Sequence, residues 1–191
     1  EMSQRLNIHE GNQYQRHDQT QFTATQENLR VQALRDAGDR KAVDQTVGRM
    51  EMGILEFGHR NGLPKEAIEQ MRGQARSETH AAAIVALSDS GNYAGANQRF
   101  TEVKSALSPG DQAKLSKVLE IGTLRGESQR LADEIMRGNP DATIQDLLTV
   151  AADRAKDDPR LREVLEERLG KLHVVREQAV RESQGNAFDA A

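Results

Sequence analysis

From about residue 26 the apolar positions fall three and four apart, the spacing that lines one face of an α-helix. Val43, Val47, Met50, Ile54 and Phe57 form one stripe, and Tyr93, Ala96, Phe100, Val103 and Leu107 form a second. Leu161, Val164, Arg168, Leu172, Val175 and Ala179 trace a third, with one Arg intruding. No window alternates β-branched and polar residues long enough for a strand, so the pattern predicts an all-α chain. The fold expected is a set of antiparallel helical hairpins stacked as an irregular α-solenoid or an elongated bundle. The helices are expected near 24–37, 39–60, 64–89, 93–107, 110–137, 142–155 and 159–184.

Turn chemistry supports these limits. Ser108-Pro109-Gly110-Asp111 offers a cap, a Pro at the first helical position and an acid in the first turn, and Asp158-Pro159 opens the last helix in the same way. Asn61-Gly62-Leu63-Pro64 and Gly138-Asn139-Pro140-Asp141 read as helix breaks. The breaks at Gly38, Gly91 and Gly138 recur roughly every 50 residues, which suggests a loose helical-hairpin unit whose punctuation alone repeats. Residues 1–25 carry Gln4, Gln13, Gln15, Gln19 and Gln21 with few aliphatics, and are expected to be a flexible lead-in. Residues 26–185 are expected to form the helical array and 186–191 a tail.

Composition narrows the class. The 191 residues are 36% hydrophobic and 3% aromatic, below what a thick single core requires. With 30 acidic and 26 basic residues the surface is a mixed mosaic, which argues against a nucleic-acid site in this segment. No apolar run approaches the length of a membrane span. The absence of Cys excludes disulfides and thiolate chemistry. Starting on Glu1 and stopping after Phe188-Asp189-Ala190-Ala191, the sequence reads like an interior piece of something longer.

Candidate chemistry is sparse. The five histidines, His9, His17, His59, His80 and His173, are never three or four apart, so no helix presents a chelating pair and neither metal nor cofactor is expected. His80, among alanines, reads as a packed or half-exposed helix residue. Gly91/Gly95, Gly122 and Gly126 follow helical rather than strand patterns, which removes phosphate loops. Glu127-Ser128 is similar to the Glu-Ser pair of lytic transglycosylases, whose Glu acts as acid and base. The aromatic and Pro expected to follow are replaced by Arg130, Leu131 and Ala132, so a solvated mid-helix Glu is the expectation and no catalytic residue is assigned.

Gly91, Tyr93, Ala96 and Phe100 follow the order of the second half of a tetratricopeptide repeat: turn glycine, aromatic, small residue at the helix crossing, aromatic. The hairpin resembles a degenerate member of that class. Tyr93, Ala96, Phe100, Val103 and Leu131 are the expected packing residues, and Gly38, Gly91 and Gly138 the expected turns. Taken with Arg60-Asn61-Gly62-Leu63-Pro64-Lys65-Glu66-Ala67, Ala75-Arg76-Ser77-Glu78-Thr79-His80, Leu107-Ser108-Pro109 and Thr123 to Arg130, the chain over roughly 30–185 resembles the helical region of tailed-phage and prophage internal virion, or DNA-ejection, proteins. The resemblance implies a non-enzymatic structural segment, stored in the capsid or tail and delivered to the host envelope to assist genome passage. Its partners would be copies of itself or neighbouring virion proteins, with transient contact of the parent protein with the envelope. Two alternatives stand beside it: a tetratricopeptide-like peptide-binding adaptor, and part of a murein-cleaving virion protein.

Overall fold

The computed structural model describes the backbone over residues 2–189 and the side chains of residues 16–182. The described backbone is all-α: α1 Met2–Arg35, α2 Arg40–Arg60, α3 Lys65–Asp89, α4 Tyr93–Val103, α5 Pro109–Gly138, α6 Ile144–Arg154 and α7 Pro159–Asp189, with a 3-10 turn at Lys104–Ala106. The chain divides into two compact units, Glu1–Leu119 and Glu120–Ala191, a boundary inside the stretch read from the sequence as one array.

In the first unit, contacts pair descending with ascending numbers. Gln32 meets Arg49, Gln26 meets Met50, Phe22 stacks on Phe57 with ring centroids 4.1 Å apart, and Asp18 meets Arg60, so α1 and α2 are antiparallel. Glu51 meets Arg72 and Arg76 while Gly58 meets Ile68, which makes α2 and α3 antiparallel too. The α2 stripe Val43, Val47, Met50, Ile54 and Phe57 is buried throughout. Ile84, Leu87, Ala96, Leu107, Leu115 and Leu119 form a second cluster, drawn from α3, α4 and the first part of α5, and Phe100 and Val103 pack against it half-buried.

The flexible lead-in expected over 1–25 is helix instead, continuous with α1 from Met2. Its polar composition concealed one anchor: Phe22 has Phe57 across the hairpin, and Phe22, Gln26, Leu29 and Ala33 recur at helical spacing on the side facing α2. The side chains of residues 1–15, and those from 183 onward that include the expected 186–191 tail, lie outside the described residues.

The turns explain why the helices stop where they do. At the end of α3, Gly91 takes φ +82°, its N–H donates to the Ser88 carbonyl at 3.0 Å, and the Asn92 N–H donates to that of Leu87 at 3.0 Å. This left-handed closure suits glycine, which has no Cβ to clash. Gly62, at φ +64°, closes α2 by the same two bonds, to His59 and Gly58. Gly38 lies in the Asp36–Gly38 turn and Gly138 is the last residue of α5; neither has positive φ, so the recurring glycines are not equivalent turns. Asp39, Asn92 and Thr143 cap α2, α4 and α6 with their side chains, Thr143 in a reciprocal box with Asp146. The Asp158 carboxylate accepts from the Arg160 and Leu161 N–H groups at the start of α7.

The second unit packs Leu131, Ala132 and Ile135 of α5 with Leu147 and Ala151 of α6, Ala155 just beyond it, and Leu161, Leu165 and Leu169 of α7. The buried seam of α7 is therefore Leu161–Leu165–Leu169, not the Leu161–Val164–Arg168 row read from the sequence, and Val175 on that row is 62% exposed. The Arg in the row marked the misphasing. Arg176 donates to the carbonyls of Asn139 at 3.3 Å, Pro140 at 2.8 Å and Ala142 at 2.6 Å, which pins the α5–α6 connection to α7.

The tightest approach is between α2 and α3. A Cβ on Gly58 would lie 2.5 Å from Cγ1 of Ile68, itself only 2% exposed, so one of the two would have to shift within a packed interior. Gly58→Ala is expected to lower stability by about 1–3 kcal/mol, the usual cost of overpacking, despite alanine's better helix propensity. Chemical denaturation of the variant against the parent chain measures it, and an unchanged or higher midpoint would refute the close packing.

Candidate functional site

The densest polar chemistry lies inside the first unit, on α3. Its consecutive residues reach different neighbours: Ser77 towards α5, Glu78 towards α1, Thr79 towards α2 and His80 towards α4. Helical geometry produces this fan, since each residue turns by about 100° from the last. Ser77, Thr79 and His80 are buried, at 2%, 1% and 5% exposure.

His80 and Arg99 form the centre. Arg99, on α4, is 5% exposed, and its Nη2 lies 3.2 Å from His80 Nδ1 and is paired with the Asp44 carboxylate of α2. One junction thus ties three helices together. A guanidinium can only donate, so His80 Nδ1 accepts and the imidazole is neutral with its proton on Nε2. Burial, reinforced by the charge of Arg99, pulls the His80 pKa from its ordinary 6.5 down to about 4, against the opposing pull of Asp44 and Glu51. Arg99 Nη1 is buried with no hydrogen-bond partner.

A second clip sits further along α2 and α3. Glu51 accepts from Arg72 at 3.2 Å and from Arg76. Its carboxyl is held below the usual range because the two guanidiniums, Arg76 foremost, outweigh the burial that opposes them. The third clip joins α3 to the start of α5: Ser77 and Ser108 both donate to the Asp111 carboxylate, and the Ser108 N–H donates to Ser77 Oγ at 2.7 Å. These hydroxyls lower the Asp111 pKa, Ser77 most. A shallow groove runs beside this clip, lined by Gln70, Gln74, Arg76, Ser105 and Lys114 among others.

The residues singled out from the sequence fall as follows. Ala96 is fully buried and Leu131 is 7% exposed; Tyr93, Phe100 and Val103 are half-buried. On α4 the place next to Ala96 in the interior goes to Arg99 rather than to Phe100, a departure from the aromatic-filled hairpin. Glu127 is exposed on α5, while neighbouring Ser128 is fully buried and donates to the Arg125 carbonyl at 2.9 Å. His17 and His59 are exposed and His173 is half-buried beside Glu177; the side chain of His9 lies outside the described residues. Among the described residues no three His, Cys, Asp or Glu side chains are grouped to hold a metal ion, and no described helix is long and apolar enough to cross a membrane.

Sequence reasoning missed Arg99, Asp44 and the Ser77–Asp111 clip. The one available signal was Arg99 flanked at helical spacing by Ala96 and Val103, a cation on an otherwise apolar face. Because Asp44 is half exposed, its loss would leave Arg99 partly hydrated. Asp44→Ala is expected to cost about 1–3 kcal/mol in the parent chain, below the full penalty of a buried unpaired charge. In an Arg99→Met background the same change should cost about 0.5 kcal/mol or less. A double-mutant cycle by denaturant unfolding measures the difference, and additivity would show the pair to be uncoupled.

No protein-family model matches the chain, and no curated protein or solved structure matches it.

Proposed function

We propose that this chain is a non-enzymatic structural segment that assembles with copies of itself or with neighbouring proteins, as part of an internal virion or DNA-ejection protein of a tailed phage. The observation that carries the assembly reading is that aliphatic side chains stand at the surface of both units, on α1 in the first and on α7 in the second. Val174 and Val175 of α7 are 53% and 62% exposed, and Val31 and Leu34 of α1 are 47% and 39% exposed. Such side chains on otherwise charged helices suit contact with protein neighbours. The polar groups of the interior support the same reading, because His80, Arg99, Ser77 and Asp111 are engaged with one another across helix junctions. The phage setting rests on the helix-turn phrases from Arg60 to Arg130 that resemble ejection proteins.

The peptide-adaptor reading draws on Ala96, fully buried where α4 meets α3 behind the left-handed Gly91 turn. Mass spectrometry of purified particles tests the first reading: the parent protein is expected among virion components, and its absence would overturn the phage assignment. Sedimentation of the chain carrying Val174→Ser and Val175→Ser tests assembly. Self-association weakened roughly tenfold is expected, in line with loss of about 1.4 kcal/mol of apolar contact. Unaltered association would exclude this face, and capture of a short peptide instead would favour the adaptor.

A further inference from the structure

We propose that His80, Arg99 and Asp44 form an acid-sensitive latch: the imidazole takes a proton readily only when α4 lets go of α2 and α3, so mild acid favours the open state and loosens the first unit. The hydrogen bond at the centre works in one protonation state only. Arg99 Nη2 donates to His80 Nδ1 over 3.2 Å; a proton on Nδ1 would set donor against donor and place a second cation beside a guanidinium that is 5% exposed.

The surrounding charges do not rescue the protonated ring. Asp44 from α2 is committed to Arg99 and half exposed. Glu51, also from α2, is bound by Arg72 and by Arg76, the cation that α3 itself contributes. The charge that α1 brings to α3, Arg30, is paired with Glu78, and the one that α5 brings, Asp111, is bound by Ser77.

The direction of the effect follows from where each state binds its proton. The unfolded imidazole titrates at its ordinary 6.5 and the folded one near 4, so the unfolded state takes up the proton first as pH falls. The contribution is complete above about pH 6.5, declines between about 6.5 and 4, and is constant below. The folding constant of the first unit is expected to drop about tenfold between pH 7 and 5.5 from this group alone. Glu51 and Asp111, whose folded pKa values are lowered, withdraw their contributions only in the carboxylate range below that window.

The test is denaturant unfolding of the whole chain between pH 7 and 5.5, with His80→Asn as comparison, since the Asn amide oxygen can still accept from Arg99 and takes no proton. The parent chain should lose about tenfold in its folding constant and the variant less than about twofold; equal losses would overturn the latch. If the variant does not fold, the imidazole resonance of His80 in the parent chain decides. A midpoint below 5 supports the latch and one at 6 or above overturns it. Amide exchange at pH 5.5, corrected for intrinsic rate, should rise in α4 more than in α6, and an equal rise in both would count against it.

Discussion

The junction of Arg99 with His80 and Asp44 is the constraint on which the first unit depends, because it puts a guanidinium among the apolar side chains that otherwise close the helix interfaces. Two solutions alternate along α3. Where the helices come closest, glycine replaces bulk and Ile68 occupies the room that a side chain on Gly58 would take. Elsewhere along α3, polar groups reach across to the neighbouring helices: Glu51 to Arg76, Asp44 to Arg99 to His80, and Asp111 to Ser77. Bridges with one buried and one partly exposed partner, such as Arg99 with Asp44, add little net stability, and removing a partner costs less than stranding a fully buried charge.

The second unit relies less on charge. Its Leu131, Leu147, Leu161, Leu165 and Leu169 recur at helical spacing and meet at one seam, while its ion pairs, such as Arg130–Glu134 and Lys171–Glu167, lie in solvent. Exposed pairs of that kind contribute little. The two units therefore differ in how pH should reach them: among the described residues of the second unit no titratable side chain is fully buried, His173 being half-buried, whereas the first unit has His80 at its centre.

Local signals made most of the helix limits legible. Pro109, Pro159, Asn61-Gly62 and Gly91-Asn92 act within a few residues, and the predicted boundaries there fall within a residue or two of those found. Two failures share a cause. The Gln-rich start was read as flexible because composition is summed over a window, and one aromatic with a partner 35 residues away leaves no mark on that sum. Arg99 escaped because apolar periodicity counts a buried cation as surface; its burial depends on Asp44, 55 residues earlier. On α7 the period was right and the phase wrong, since Val164 and Leu165 compete for one face and only the neighbouring helices decide between them. Glu127, by contrast, lies exposed as its surroundings in the sequence suggested.

The contact of Gly58 with Ile68 also fixes the register of the α2–α3 hairpin. A side chain larger than hydrogen at position 58 would meet Ile68, so that pairing holds the ends of the two helices beside the turn in one alignment. The Gly62 turn that joins the two helices is then a ruler as well as a bend, with its length set by an atom-sized notch four residues upstream. An insertion or deletion between Asn61 and Pro64 would change the alignment of α2 with α3, and with it the pairing of Glu51 with Arg72 and Arg76 across the same two helices.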